Sequence, residues 1–210
     1  MGFTDKLLEI LTKLFLRYQG FKLKKKIIYT YEEYSKQIFI FEADPEKYKK
    51  IGQATPFGTI IMPEFTSTKY TKNVVDYVFL HELGHTRVNI ILRTLFYVVF
   101  VGSFTVSVIS MCYFIESLIL LHIPERNIFF LCSFTIFFIL TMLSSWIYEL
   151  VADLFAYNVL GKKLYVDMKI ELDEKKGQVR LRDIIRHAFL YPPKPIFWYF
   201  VHKIDNKKRA

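Results

Sequence analysis

The sequence predicts an α+β membrane protein: a two-span transmembrane helical hairpin joined to a small sheet and a helix bearing an HExxH motif. Three observations carry that expectation. First, 52% of the residues are hydrophobic and 18% aromatic, with a mean hydropathy of +0.23, yet 23% are charged, so apolar and charged residues must be segregated along the chain. Second, two runs at about residues 94–121 and 127–147 are nearly free of charge, and each reaches the roughly 20 residues needed to cross a bilayer. Third, residues 81–85 read HELGH, a spacing that places both histidines on one face of a helix.

The same composition excludes other classes. A charge-poor middle between strongly basic ends suits neither a soluble globule nor a disordered tail. Cys112 and Cys132 both lie inside apolar runs and offer no disulfide framework or cysteine metal cluster. The net charge of +9 comes with no zinc knuckle, RNP motif or helix-turn-helix pattern, so no nucleic-acid partner is expected; lysines beside membrane spans attract anionic lipid headgroups instead.

Taken in order, residues 1–25 place Phe3, Leu7, Leu11, Leu14, Phe15 and Tyr18 near helical spacing, with Lys6, Lys13 and Arg17 elsewhere on the wheel. This is an amphipathic helix, suited either to packing on its own domain or to lying at a membrane interface. It has no uninterrupted apolar core and no small-residue cleavage site, so the N-terminus is expected to stay on the side where it was made. Residues 26–90 hold the strands and the HExxH helix. The segments IIYTY, QIFIFEAD and FGTIIMPEF are β-branched or aromatic and are separated by polar, Pro- and Gly-bearing stretches, which predicts a small sheet. Pro63 closes the last run and cannot donate to a ladder. Gly58, Thr59, Ile60, Ile61 and Met62 are therefore expected on an edge, where an extended peptide can add as a strand. From about Thr71 to Asn89 the period changes to three- and four-residue steps, a helix.

Residues 91–147 form the membrane hairpin, turning at LHIPER. Lysine and arginine crowd both flanks and leave only Arg126 in the turn, so both termini and the domain between them are expected in the cytoplasm of an integral cell-membrane protein. Residues 148–210 then return to that domain.

On a helix, His81 and His85 can reach one metal ion while Glu82 lies beside them. The pattern fits a catalytic zinc site in which two neutral imidazoles bind Zn²⁺ and the glutamate takes a proton from water. A third protein ligand is needed, and Glu149 supplies a candidate. It opens YELVADLFAYNVLG, where Glu149, Ala152, Asp153 and Ala156 share a helix face with small residues suited to close packing. A two-span hairpin brings Glu149 back to the membrane face where His81 and His85 lie. Asp153, one turn on, is placed to accept the free N–H of a ligating histidine, and Gly84 suits close approach by another backbone.

With HELGH at 81–85 and ELVAD at 149–153, the chain resembles the HtpX-like and CAAX-prenyl-protease-like integral membrane zinc metallopeptidases. Two spans between the motifs look most like HtpX, and the likeness covers roughly residues 37–200. It implies a zincin-like peptidase domain in the cytoplasm, with one zinc ion held by His81, His85 and Glu149. It further implies Glu82 as general base, Asp153 as a supporting residue and a peptide or protein substrate, membrane proteins undergoing quality control or processing among them. Near the C-terminus, Tyr191 precedes Pro192 and Pro193 where the family commonly has histidine, and Phe197 stands where arginine is expected. Tyr191 and His187 are candidates for hydrogen bonding to an oxyanion, and Asn89 for touching substrate. The alternatives are a sensor-type membrane metalloprotease, a site-two-type intramembrane protease and a catalytically silent membrane scaffold.

Overall fold

The computed structural model describes residues 3–119, 124–175, 185 and 188–209. It is mixed helix and sheet. Its described residues divide into two compact units, one drawn from Met1–Asn89 and Val151–Val179, the other from Ile90–Leu150 and Arg180–Ala210.

The first unit begins with α1 (Phe3–Tyr18), followed by β1 (Leu23–Tyr31), β2 (Tyr34–Phe41), β3 (Gln53–Ala54), β4 (Ile60–Pro63), the short α2 (Phe65–Lys69) and α3 (Lys72–Arg87). β1 and β2 form an antiparallel hairpin, β2 pairs parallel with β4, and β3 returns antiparallel on β4, giving the order β1-β2-β4-β3. Four consecutive residues of β2, Ile38 to Phe41, are buried, as expected of a strand covered on both faces. On one face Leu16 of α1 packs with Phe39, Phe41 and Ile61, and Thr12 shares a 2.9 Å hydrogen bond with Thr59. The other cover is α3, buried continuously from Val74 to His85. Tyr29 of β1 stacks 4.9 Å from Phe79 and donates a 2.6 Å hydrogen bond to Asp76. α1 is thus part of this unit's core rather than a separate segment.

The expected edge is corrected. β4 lies inside the sheet with β3 on its outer side, and Gly58 and Thr59 belong to the connection before the strand, Gly58 with a left-handed φ of 82°. Pro63 is tolerated because it closes β4 opposite Phe41, whose carbonyl accepts the N–H of the following Glu64 instead. The edge on that side is the two-residue β3, too short to leave a periodic signal in sequence, and β1 forms the opposite edge.

α4 (Ile90–Ile119) and most of α5 (Pro124–Leu160) lie in the second unit. Both helices are long and apolar enough to cross a membrane. Along α4, Ser103, Ser107, Ser110 and Ser117 are buried, while Leu95, Val98, Phe104 and other apolar residues are exposed. Ser103 meets Thr141 at 2.8 Å and Ser110 meets Ser133 at 3.0 Å, so small hydroxyl residues form the helix–helix seam and apolar ones face outward. After α6 (Lys162–Lys175) of the first unit comes a C-terminal helix, here α7 (Lys194–Arg209). Residues 188–190 pack on α5 within the second unit: Trp146 Nε1 donates to the Ala188 carbonyl, Ser145 to that of Leu190, and Phe138 lies 5.3 Å from Phe189. The described residues from 185 onward thus belong to the unit that holds the apolar helices.

Candidate metal centre

α3 begins with Lys72 after Thr71 and runs without a break through HELGH to Arg87. Val74, Val75, Val78, Phe79, Leu80 and Leu83 are buried along it, and His81, Glu82 and His85 lie in the interior with them rather than on the surface. The imidazoles of His81 and His85 lie 4.9 Å apart, centre to centre, at right angles.

α5 is longer than the apolar run alone predicts and carries the ELVAD motif in its last turns. Its end, from Val151, belongs to the same unit as α3. Ala152 and Ala156 are fully buried, and a Cβ added to Gly84 would lie 2.9 Å from the Ala152 Cα and 3.1 Å from its carbonyl oxygen. Glycine on α3 facing alanine on α5 is what lets the two backbones approach. That approach brings Asp153 to His81, whose Nδ1 lies 2.9 Å from Asp153 Oδ1.

A carboxylate only accepts, so the neutral His81 ring carries its proton on Nδ1 and keeps the Nε2 lone pair for a ligand. Asp153 is itself held: the Tyr77 hydroxyl donates to Oδ1 at 2.8 Å, and Lys169 Nζ lies 3.3 Å from Oδ2. The ammonium of Lys169 also sits over the Tyr77 and Tyr165 rings, 4.8 and 5.4 Å from their centres. Tyr77 stands four residues before His81 on the same helix face, a signal that spacing could have revealed. Lys169 gave none, because one lysine in a charged helix looks like any solvated residue.

Glu149 is half-buried one turn before Asp153 on the continuous helix α5, and the i, i+4 relation directs both carboxylates to one side. One ligand atom from each of His81, His85 and Glu149 lies within 4.8 Å of the others, a group that could hold a metal ion. Two imidazole nitrogens and a carboxylate oxygen are groups that can coordinate a metal ion together, and Asp153 stands behind one of the histidines.

Glu82 is buried, and its carboxylate accepts the backbone N–H of Ala54. Thr55 directs its own N–H to Thr59, across the hairpin, so alternation turns the Ala54 N–H outward, away from β4. Gly52 packs beside it, where a Cβ would meet Val78 Cγ1 at 2.5 Å and Glu82 Cγ at 3.3 Å. Close by, burial pushes the Tyr48 phenol up to about 12, with the charge of Glu82 adding to the effect.

The remaining expected contacts fare differently. Asn89 lies beyond the end of α3 and is exposed, so the helical step from His85 does not carry through to it. Tyr191 lies in the second unit, just before α7. His187 lies outside the described residues. Compared with known proteins, the chain matches no protein-family model, no curated protein and no solved structure.

Proposed function

We propose that the chain is a membrane-bound zinc-dependent endopeptidase that hydrolyses peptide bonds at the cytoplasmic membrane face. The observation that carries this reading is the convergence of His81, His85 and Glu149, with Asp153 bonded to His81 and Glu82 buried in the adjacent position. The residues fit the ion: three protein ligands leave room for a further one, as catalytic zinc requires. Bound there, zinc would supply Lewis acidity toward a peptide carbonyl and acidify a water to near-neutral pKa. His81 and His85 would hold it through nitrogen and Glu149 through oxygen, while Asp153 fixes the His81 ring and its tautomer.

Glu82 is the general base. Its carboxylate takes the proton of the attacking water onto an oxygen and returns it to the departing amine. The Ala54 N–H that it accepts belongs to the outer edge of β3, so a peptide adding there as a strand brings a carbonyl that competes for the same donor. Docking at Gln53–Ala54 would thus release the Glu82 carboxylate as substrate arrives. The lysine and arginine bias of the flanks supports a cytoplasmic site and cytoplasmic termini.

Cleavage of an unfolded casein-type substrate by detergent-purified protein tests this. Wild type is expected to cleave, and Glu82→Gln to lose turnover while retaining metal. Equal cleavage by both proteins would remove Glu82 from the reaction, and metal without cleavage in wild type would favour a catalytically silent scaffold.

A further inference from the structure

α1 has two working faces, and the core uses only one. Thr12 and Leu16 point inward and are fully buried. Leu7, Ile10, Leu14 and Tyr18 form a row at steps of three, four and four residues, which a helix turns to one side. They are 45, 54, 57 and 91% exposed. Lys6, Lys13 and Arg17, all exposed, follow a parallel row at steps of seven and four, directly alongside. The acidic residue within this stretch, Glu9, pairs with Lys13 of the basic row and with Lys26 of β1.

An apolar row of this length could take a protein partner, but its basic border favours an anionic surface. Connectivity adds a second reason. α3 ends at Arg87 and the first helix long enough to cross a membrane begins at Ile90, so a two-residue link ties this unit to a bilayer anchor. We propose that the outer face of α1 docks on an anionic lipid surface: Leu7, Ile10, Leu14 and Tyr18 enter the headgroup–acyl boundary, and Lys6 and Arg17 pair with headgroup phosphates. The inference is independent of the metal centre.

The test uses the full chain, with Cys112 and Cys132 replaced by alanine and a spin label at Ile10→Cys or Leu14→Cys. The protein is placed in nanodiscs of phosphatidylcholine alone or with a quarter phosphatidylglycerol. The label's access to oxygen and to a water-soluble nickel chelate is then compared. Lipid contact predicts a several-fold higher oxygen-to-nickel ratio with phosphatidylglycerol than without, and loss of that gain in a Lys6→Gln, Arg17→Gln variant. Full nickel access in both discs would overturn the proposal. So would dipolar broadening between labels, which would assign the face to a second copy of the chain, or a ratio indifferent to phosphatidylglycerol.

Discussion

Asp153 is the residue on which the centre's geometry turns, because groups on α3 and α6 meet at its carboxylate, among them His81 Nδ1, the Tyr77 hydroxyl and Lys169 Nζ. Removing a carboxylate behind a metal-bound histidine typically lowers metal affinity about 10–100-fold. Asp153→Ala is expected to show a loss of that size in competition with a chromophoric chelator. Tyr77→Phe, which removes one of the donors that aim the carboxylate, should show a smaller loss. Gly84 supplies the complementary test. On helix propensity alone Gly84→Ala would gain about 1 kcal/mol, but its Cβ meets the Ala152 backbone at 2.9 Å. Because the obstacle is backbone rather than a flexible side chain, overpacking wins and the variant should lose about 1–3 kcal/mol, read as a lower midpoint in thermal unfolding. At this scale His81 and His85 were legible from motif spacing, and Glu149 and Asp153 from helical spacing together with the return of the hairpin. Ala54 was not, since its contribution is a backbone N–H, which no residue type announces.

Among the elements, α1 and the tyrosine contacts decide how firmly the HExxH unit is held. Leu16 is fully buried against Phe39, Phe41 and Ile61, so Leu16→Ala should cost about 2–5 kcal/mol in denaturant unfolding of the purified protein. Tyr29, Tyr48 and Tyr165 tie β1, the β2–β3 connection and α6 into the unit, and burial raises all three phenols above their ordinary value of 10. A raised folded pKa means that the neutral form is favoured on folding. The stabilisation is therefore complete below pH 10 and lost as pH climbs toward and past the value of about 12 that applies to Tyr48. Phenolate absorbance followed with circular dichroism should show these tyrosines ionising late and together with loss of structure; ionisation near pH 10 in folded protein would show them exposed. Segments with clear periodicity were legible: β1, β2, α1 and α3 fall close to where their sequence predicts. The sheet order was not. A two-residue strand has no period, and without β3 the run ending at Pro63 reads as an edge.

At the scale of the whole molecule, two apolar helices with a hydroxyl-lined seam and an apolar exterior separate the HELGH and ELVAD motifs in sequence. The hairpin reading predicts that cysteines introduced near the N-terminus and in α7 are modified by a membrane-impermeant reagent from the same side of sealed vesicles; opposite-side labelling would refute it. The two long apolar helices themselves were legible from composition. The grouping of residues 188–190 with α5 was not, because it depends on carbonyl acceptors and ring contacts that composition does not encode. Joint binding of one metal ion by His81, His85 and Glu149 is the property on which the proposed chemistry depends. It is tested most directly by the zinc content of detergent-purified wild type measured beside Glu149→Ala. One zinc ion per chain in wild type, with most of it lost in a folded Glu149→Ala protein, is the expected result; folded wild-type protein without zinc, or a variant that retains it fully, would contradict the site.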